Sequence, residues 1–413
     1  MKSVFIYLLS NITNGLLPLA LLPLFTEHLT PTEYGYVTLF QMFFIFFRAI
    51  SGSSYVTSSE RNYFSKGFDN NSYVNTSFFL IIITSLFLFL LICFFSNSIS
   101  AVSDLKIEYV FLSFASGVFA VVIQLRLSQW LVRKKAIIYG VLQVMIGLSG
   151  NILAIIFVVN LGMGVEGRVD SIFYTYLIFS LICIYSLYKD GCINFRRWST
   201  RECKDILYFS LPLLPHSLGV LLLTVFDRLV LKINLGVEIV GIYMVGFQLM
   251  SAVGILSDAF NKFFSPIQME LLSAESTESK KLLVKYIYIW SLAISLCGFV
   301  ANIALCFFVK SFLDIKYHEV TKVIPWLALG QVFNGIYISI LNIVYYSKNT
   351  AALSFSTMVV SAVHILVFYT MTKYFGIEGA GIAFSISMAI RLMFTFILSS
   401  VVLPLPWVFR YKC

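Results

Sequence analysis

Residues 74–95 read VNTSFFLIIITSLFLFLLICFF and contain no charged side chain. A helix of about 20 residues, rising 1.5 Å per residue, crosses a hydrocarbon core of roughly 30 Å. Similar apolar blocks, separated by short polar joints, fill the rest of the chain. Stretches of about ten residues with alternating polarity, which are typical of membrane β-barrels, do not occur. The sequence therefore predicts an all-α integral membrane protein.

The composition excludes a water-soluble protein. Of 413 residues, 59% are hydrophobic and only 12% are charged, against about 25% charged residues in soluble domains. The net charge of +9 arises mostly from basic residues in alternate loops, so nucleic acid is not a predicted partner. The seven cysteines form no CxxC pair and no His spacing, so neither a disulfide framework nor a metal site is predicted.

The apolar blocks predict about twelve spanning helices. The predicted spans cover residues 4–25, 36–56, 74–95, 107–128, 138–160, 169–188, 206–231, 239–262, 282–309, 321–346, 351–373 and 378–402. The first block is longer than a signal-peptide core and is expected to remain as helix one. Loops on the side of the two termini hold most of the lysines and arginines. The positive-inside rule therefore predicts cytoplasmic termini and a multi-pass protein of the bacterial inner membrane.

The most hydrophilic connector lies near the middle of the chain. It runs from Lys189 to Lys204 and separates two sets of six predicted spans. We expect it to be a cytoplasmic hinge between two lobes. The predicted domains are an N-terminal six-helix lobe at 1–188, a linker at 189–205 and a C-terminal six-helix lobe at 206–413.

Internal similarity supports two equivalent lobes. The motif GVEGR at 164–168 recurs as GIEGA at 376–380, and the motif GYVTLFQ at 35–41 resembles GIYMVGFQ at 241–248. Six spans separate the copies, so both halves start from the cytoplasm. This pattern predicts parallel repeats about an axis along the membrane normal, a design that places the substrate between the lobes.

Short motifs along the whole chain resemble the Wzx-type flippases of O-antigen and capsule assembly, within the multidrug/oligosaccharidyl-lipid/polysaccharide exporter superfamily. The motifs are LPLALLPLF at 17–25, TEYGY at 32–36, SERNYF at 59–64, Gly167-Arg168, LPLLP at 211–215, Phe226-Asp-Arg228 and VGIY at 240–243.

The resemblance implies a fold like that of the two-lobed drug exporters. It also implies a flippase that carries undecaprenyl-diphosphate-linked repeat units to the periplasmic leaflet. The O-antigen polymerase and the chain-length regulator are the implied protein partners, and membrane lipid surrounds the chain. The particular glycan is not implied.

Arginines inside spans are the first candidates for the substrate site. An arginine at a helix centre costs roughly 2.5–3.5 kcal/mol on insertion scales, so we expect it to face a cavity or a partner. Arg48 in span two shares its predicted helical face with Gly52 and Tyr55. Arg391 in span twelve lies on a face with three hydroxyl residues, Ser387, Thr395 and Ser399. A structural cation is the alternative for each.

Other charged or titratable residues are candidates that also have structural alternatives. Asp227 and Arg228 lie near the predicted periplasmic end of span seven and fit either a cavity or an ion pair. Arg126 ends span four, where it fits a vestibule or reaches the headgroups. His216 and Asp258 are candidates for coupling transport to a proton gradient or to ordinary packing.

Prolines mark the helices that are expected to bend. Proline in a helix interior removes a backbone hydrogen bond and kinks the helix. The predicted hinge residues are Pro18, Pro23, Pro212 and Pro215. A rocking carrier needs such hinges, although an inert kink has the same sequence.

Two alternative functions stay open at this point. An O-antigen polymerase or ligase is also polytopic, but its long periplasmic loop is missing from the predicted topology. A drug or cation exporter would favour acidic interior faces over arginines. Walker A, HExxH and GxSxG motifs are absent. No catalytic residue and no cofactor are predicted, and a proton or sodium gradient is the expected source of energy.

Overall fold

The computed structural model describes residues 15–65, 69–194, 199–274, 276–347 and 350–407, with the side chains of residues 65, 215, 216, 223, 224, 350, 351 and 354 left out. These residues form helices joined by short loops and contain no β-strand. The chain divides into two compact units, Met1–Leu221 and Leu222–Cys413.

Unit 1 is arranged around one central helix. Residues 15–20 are helical. The helices that follow are α1 (Leu22–His28), α2 (Pro31–Ile50), α3 (Ser53–Ser65), α4 (Asn70–Ser103), α5 (Ile107–Val132), α6 (Ala136–Ala154) with a π-helical continuation (Ile155–Asn160), α7 (Gly164–Lys189), α8 (Thr200–Ser210) and α9 (Leu213–Thr224), which crosses the unit boundary. Helix α5 packs against α2, α4 and α7. Its apolar core is 61% buried, against 17% for α6, so α5 is the centre of the unit.

Unit 2 is also arranged around one central helix. It contains α10 (Asp227–Leu235), α11 (Val237–Ser273), α12 (Thr277–Phe312), a 3₁₀ segment (Ile315–Lys322), α13 (Ile324–Tyr346) and α14 (Thr350–Val402). Helix α13 packs against α11, α12 and α14 and is 67% buried. Helices α5 and α13 are the predicted spans four and ten, which are equivalent in a six-span repeat. Each is therefore the core helix of its own unit.

The predicted membrane fold is confirmed. Among the described residues, eight helices are long and apolar enough to cross a membrane, and nine when the bent pair α2 and α3 counts as one span. Helix α14 holds two predicted spans, which meet at Gly376. The predicted span one begins before the described residues. The predicted span seven is interrupted by turns at 211–212 and 225–226.

One predicted helix is wrong in detail. The span at 36–56 is not a continuous helix, because α2 ends at Ile50 and α3 departs from it at an angle of 44°. Gly52 lies at the bend with φ +133°, a conformation that side chains other than glycine rarely adopt. The prediction that Gly52 and Tyr55 continue the helical face of Arg48 is therefore wrong.

The repeated GxEG motif has the same geometry in both units. Gly164 and Gly376, its first residues, have φ of +55° and +58°, a region that glycine enters without steric cost. A Cβ atom on Gly167 would lie 2.9 Å from the backbone of Phe157, and one on Gly379 would collide with the carbonyl oxygen of Met371. The first glycine thus turns the chain, and the second lets the next helix pass close to the preceding one.

The central connector is anchored to unit 1 on both sides of residues 195–198, which lie outside the described residues. On one side, the backbone N–H of Asn194 donates to Asn75 Oδ1. On the other, α8 buries Glu202, whose Oε2 accepts a hydrogen bond of 2.6 Å from Thr76 Oγ1. The domain limits at 188 and 206 stay a prediction, but α8 packs with the first lobe.

Replacing Gly379 with alanine tests the close helix approach. The new methyl group would overlap the Met371 carbonyl, so we expect a loss of roughly 1–3 kcal/mol in the free energy of unfolding. Thermal unfolding of the purified protein in detergent measures the change. Gly150→Ala is the matched control, because its Cβ would lie 3.4 Å from the Thr175 hydroxyl, an ordinary contact. Equal stability of the two variants would contradict the close approach.

Candidate functional site

Unit 1 contains a polar cavity of about 480 Å³. Cavities that bind small molecules measure roughly 300–1,000 Å³. Helices α2, α5, α6 and α7 supply most of the wall. The polar and charged residues that line it are Arg48, Glu60, Gln124, Ser128, Tyr139, Gln143, Asn151 and Tyr176. Such a concentration of polar side chains is costly inside apolar helices, which makes this cavity the candidate site.

Arg48 is the cation of the cavity, and its surroundings leave its charge available. Its Nη2 donates a hydrogen bond of 3.2 Å to Gln124 Oε1. The described residues place no carboxylate within ion-pairing distance of it. Helix α5 comes close at Gly117, where a Cβ atom would lie 2.9 Å from the Arg48 backbone nitrogen. Arg48 is therefore held in place by a neutral partner beside a space large enough for an anion.

Sequence reasoning missed most of the cavity wall. Five polar residues of the wall lie inside predicted spans but are not among the predicted site residues. They are Gln124, Tyr139, Gln143, Asn151 and Tyr176. A signal was present, because amide side chains within an apolar helix are expensive and therefore informative. Glu60, on α3 just beyond predicted span two, was likewise read only as part of a motif.

Arg126 has a structural environment outside the lining of this cavity. Its side chain is 3% exposed and forms a short ion pair with Asp190, the residue that follows α7. The guanidinium also stacks on the Trp130 ring, 4.4 Å from the centroid. A vestibule role for Arg126 stays untested, but its charge is already paired.

Arg391 in unit 2 stacks on an aromatic ring. Its Cζ lies 4.0 Å from the centroid of the buried Tyr337 ring. Its Nε has no hydrogen-bond partner among the described residues. The hydroxyl residues predicted on its face, Ser387, Thr395 and Ser399, are buried, so this face points into unit 2.

Asp227 and Arg228 are both buried at the start of α10. Asp227 Oδ1 accepts a hydrogen bond of 2.8 Å from the Arg228 backbone nitrogen in the first turn of α10. The Arg228 Nε donates to the Met244 sulfur at 3.2 Å. The Arg228 Nη1 and the hydroxyl of the nearby Tyr243 have no partner among the described residues. This buried pair therefore has polar atoms to spare within the described residues.

The predicted hinge and coupling residues lie at distinct places. Pro18 lines the unit 1 cavity, and Pro23 is the second residue of α1, which follows a turn at Leu21. Pro212 lies in the turn between α8 and α9. Asp258 is exposed on α11. The side chains of Pro215 and His216 are outside the described residues.

The structure thus brings together two of the predicted site residues, Arg48 and Pro18. Arg126 lies elsewhere in unit 1, whereas Asp227, Arg228, Asp258 and Arg391 belong to unit 2. The functional and hinge roles of all these residues stay predictions.

Comparison with known sequences identifies related proteins. Residues 1–261 match the family model described as "Polysaccharide biosynthesis protein". The "Lsg locus putative protein 1" of Haemophilus influenzae is 24% identical over 411 residues, which cover 94% of this chain and 95% of that protein.

Two solved structures show the same fold. A structure of the "Lipid II flippase MurJ" in an inward closed conformation matches with a TM-score of 0.75 and 17% identity, covering 96% of this chain and 87% of that chain. An inward-facing multidrug resistance MATE family transporter of the MOP superfamily matches with a TM-score of 0.71 and 16% identity, covering 95% and 93%. The predicted drug-exporter-like fold is confirmed.

Removing the counter-ion of Arg126 tests the buried pair. In Asp190→Asn the guanidinium would stay buried without a charge partner, and breaking such pairs is strongly destabilising. Because Asp190 is about one-third exposed, we expect a smaller loss, roughly 2–3 kcal/mol. Thermal unfolding of the purified protein measures it. The double variant Arg126→Met/Asp190→Asn is expected to regain most of the stability.

Glu166→Gln is the matched control, since it breaks an exposed pair with Lys106 and should lower the stability much less than Asp190→Asn does. Burial disfavours the ionised Asp190, but the hydrogen bond and charge of Arg126 outweigh it and lower its pKa. The pair therefore stabilises fully above the unfolded pKa of about 3.9, and its contribution is lost as the pH falls through the folded pKa. A double variant no more stable than Asp190→Asn would contradict the pairing.

Proposed function

Because the chain belongs to the polysaccharide biosynthesis protein family, we propose that it is a flippase for undecaprenyl-diphosphate-linked O-antigen or capsule repeat units. It carries them from the cytoplasmic to the periplasmic leaflet by alternating access. The observation that supports this most directly is the polar cavity of unit 1 with Arg48 on its wall, whose charge no described carboxylate pairs.

The physical demand of the reaction matches that cavity. A diphosphate with sugars is too polar to cross hydrocarbon unaided, so its carrier must supply water, cations and hydrogen-bonding groups inside the membrane. Arg48 offers a planar set of donors that suits phosphate oxygens. The neutral amides and tyrosines of the same wall suit sugar hydroxyls. One cavity therefore offers groups for both parts of the headgroup.

The proposed setting follows from the sequence. Basic loops on the side of the termini favour cytoplasmic termini in the bacterial inner membrane. The polymerase that uses the translocated units and the chain-length regulator are the proposed protein partners. A proton or sodium gradient is the proposed source of energy, and His216 and Asp258 are the candidate residues for the coupling.

Export of a cationic compound is the second candidate function. Glu60 lines the same cavity, and a carboxylate would attract such a substrate. Arg48 opposes this function, because it adds a positive charge that no described carboxylate neutralises. We therefore place the lipid-linked anion first.

Arginine variants in a deletion strain test the proposal. The deletion is expected to accumulate complete lipid-linked repeat units on the cytoplasmic leaflet. Arg48→Ala should fail to relieve the accumulation at unchanged membrane abundance, since it removes the phosphate donor. Arg48→Lys should retain part of the activity, because it keeps the charge but loses the bidentate geometry. We also expect Arg391→Lys to retain more transport than Arg391→Ala, with a smaller loss of transport than at Arg48.

The matched control is Arg201→Ala, which removes an exposed arginine of α8 and should leave transport unchanged. Full activity of both the Arg48→Ala and Arg391→Ala variants would refute the arginine roles. Single repeat units exposed to the periplasm in the deletion strain would refute the flippase and indicate a polymerase. Sensitivity to cationic compounds without any glycolipid defect would favour the exporter.

A further inference from the structure

One face of α6 carries a polar stripe along the unit 1 cavity. Tyr139, Gln143, Gly147 and Asn151 recur every fourth residue, and all four line the cavity. Residues four apart lie on one face of a helix. The remaining surface of α6 is largely apolar and exposed, with only 17% of its apolar core buried. Apart from Ser149, the polar side chains of α6 thus lie on the face that meets the cavity.

Asn151 at the end of the stripe has an unused acceptor. Its Nδ2 donates a hydrogen bond of 2.8 Å to the Gly147 carbonyl oxygen, which fixes the orientation of the amide. Its Oδ1 is buried and has no hydrogen-bond partner among the described residues. A buried acceptor without a partner costs about 1–3 kcal/mol. Such a cost is understandable if a ligand supplies the missing donor.

The backbone is irregular next to this residue. A π-helical segment, Ile155–Asn160, begins one turn after Asn151. Segments of this kind frequently occur at functional sites, because they shift the helical register and re-aim the side chains around them. The irregularity is an independent sign that this end of α6 is adapted to something other than packing.

The charges around the stripe define the ligand. Among the described lining residues, the side chains with a formal charge are Arg48 and Glu60. The stripe itself is neutral, and its amide and phenol groups both donate and accept hydrogen bonds, as sugar hydroxyls do. A sugar with its own carboxylate would add a second anion to a cavity that already holds Glu60 and has one arginine.

We propose that the α6 stripe binds a neutral sugar ring, the first sugar of the repeat unit, while Arg48 contacts the diphosphate. This rests on the proposed function and assigns the sugar to Gln143 and Asn151. The Asn151 Oδ1 accepts a hydrogen bond from a ring hydroxyl, and Tyr139 forms the adjoining part of the stripe.

The test measures binding to the purified full-length protein by isothermal titration calorimetry in detergent. The probes are farnesyl diphosphate, the same lipid carrying glucose, and the same lipid carrying glucuronic acid. We expect the glucose probe to bind more tightly than farnesyl diphosphate, and the glucuronic acid probe more weakly than the glucose probe. Asn151→Leu and Gln143→Leu should each weaken glucose-probe binding roughly three- to tenfold, as expected for one lost hydrogen bond.

Two comparisons make the result specific. Neither leucine variant should change the binding of farnesyl diphosphate, whereas Arg48→Ala should weaken all three probes. Ser149→Leu is the matched control, because Ser149 belongs to α6 but lies outside the cavity lining and bonds to the Met145 carbonyl. It should bind every probe as the unaltered protein does. Gln143→Leu serves as the second variant if Asn151→Leu fails to fold.

The outcomes separate this inference from the proposed function. Binding of farnesyl diphosphate with no gain from glucose would overturn the sugar assignment and leave the flippase standing. Equal weakening of the lipid and glucose probes by Asn151→Leu would also overturn it. Tighter binding of the glucuronic acid probe would overturn the neutral-sugar class. Failure of all probes to bind, together with normal transport by Arg48→Ala, would refute the proposed function itself.

Discussion

A charge inside hydrocarbon must find compensation within the protein, and the four arginines of the predicted spans meet this constraint in four ways. Arg126 has a carboxylate and an indole ring. Arg391 has a phenol ring, and Arg228 has a thioether. Among the described residues, Arg48 has a neutral amide and an open cavity. Cation–π and amide contacts compensate a charge less than an ion pair does. The least compensated of the four, judged by the described residues, therefore faces the polar cavity of unit 1.

The hydrocarbon around the protein also explains how the helices pack around that cavity. Hydrocarbon cannot satisfy backbone polar groups, so each span is a helix, and helices in lipid associate through close packing at small residues. Gly117 gives α5 direct access to the backbone of α2 beside Arg48. The GxEG motif does the same for α7 in unit 1 and for the second half of α14 in unit 2. The central helices α5 and α13 result from this packing, because a helix surrounded on all sides is the one most removed from lipid.

Composition and periodicity were sufficient for the spans, because each span must be apolar over a length that the bilayer fixes. The GxEG repeat was also readable, since its glycines are required by backbone geometry. The bend at Gly52 could not be predicted from the sequence, because a helix pattern continues on both sides of it. The pairing of Arg126 with Asp190 joins residues 64 positions apart, and nothing local in the sequence specifies it. The stripe of Tyr139, Gln143 and Asn151 has a four-residue period that is visible in the sequence. The predicted binding residues rest on charge, and the residues of this stripe are neutral.

The partner of Arg48 suits a carrier that must release what it binds. A phosphate that displaces the Gln124 amide breaks one hydrogen bond between the charged arginine and a neutral group, whose net worth is about 1.5–3 kcal/mol. Displacing a carboxylate such as Asp190 would break a buried ion pair and leave that carboxylate unpaired, which costs several kcal/mol. An arginine held by an amide is therefore oriented without being neutralised. Binding energy then comes from several modest contacts, of phosphate with Arg48 and of sugar with α6. Each of them can be lost in turn when the cavity opens to the other side of the membrane.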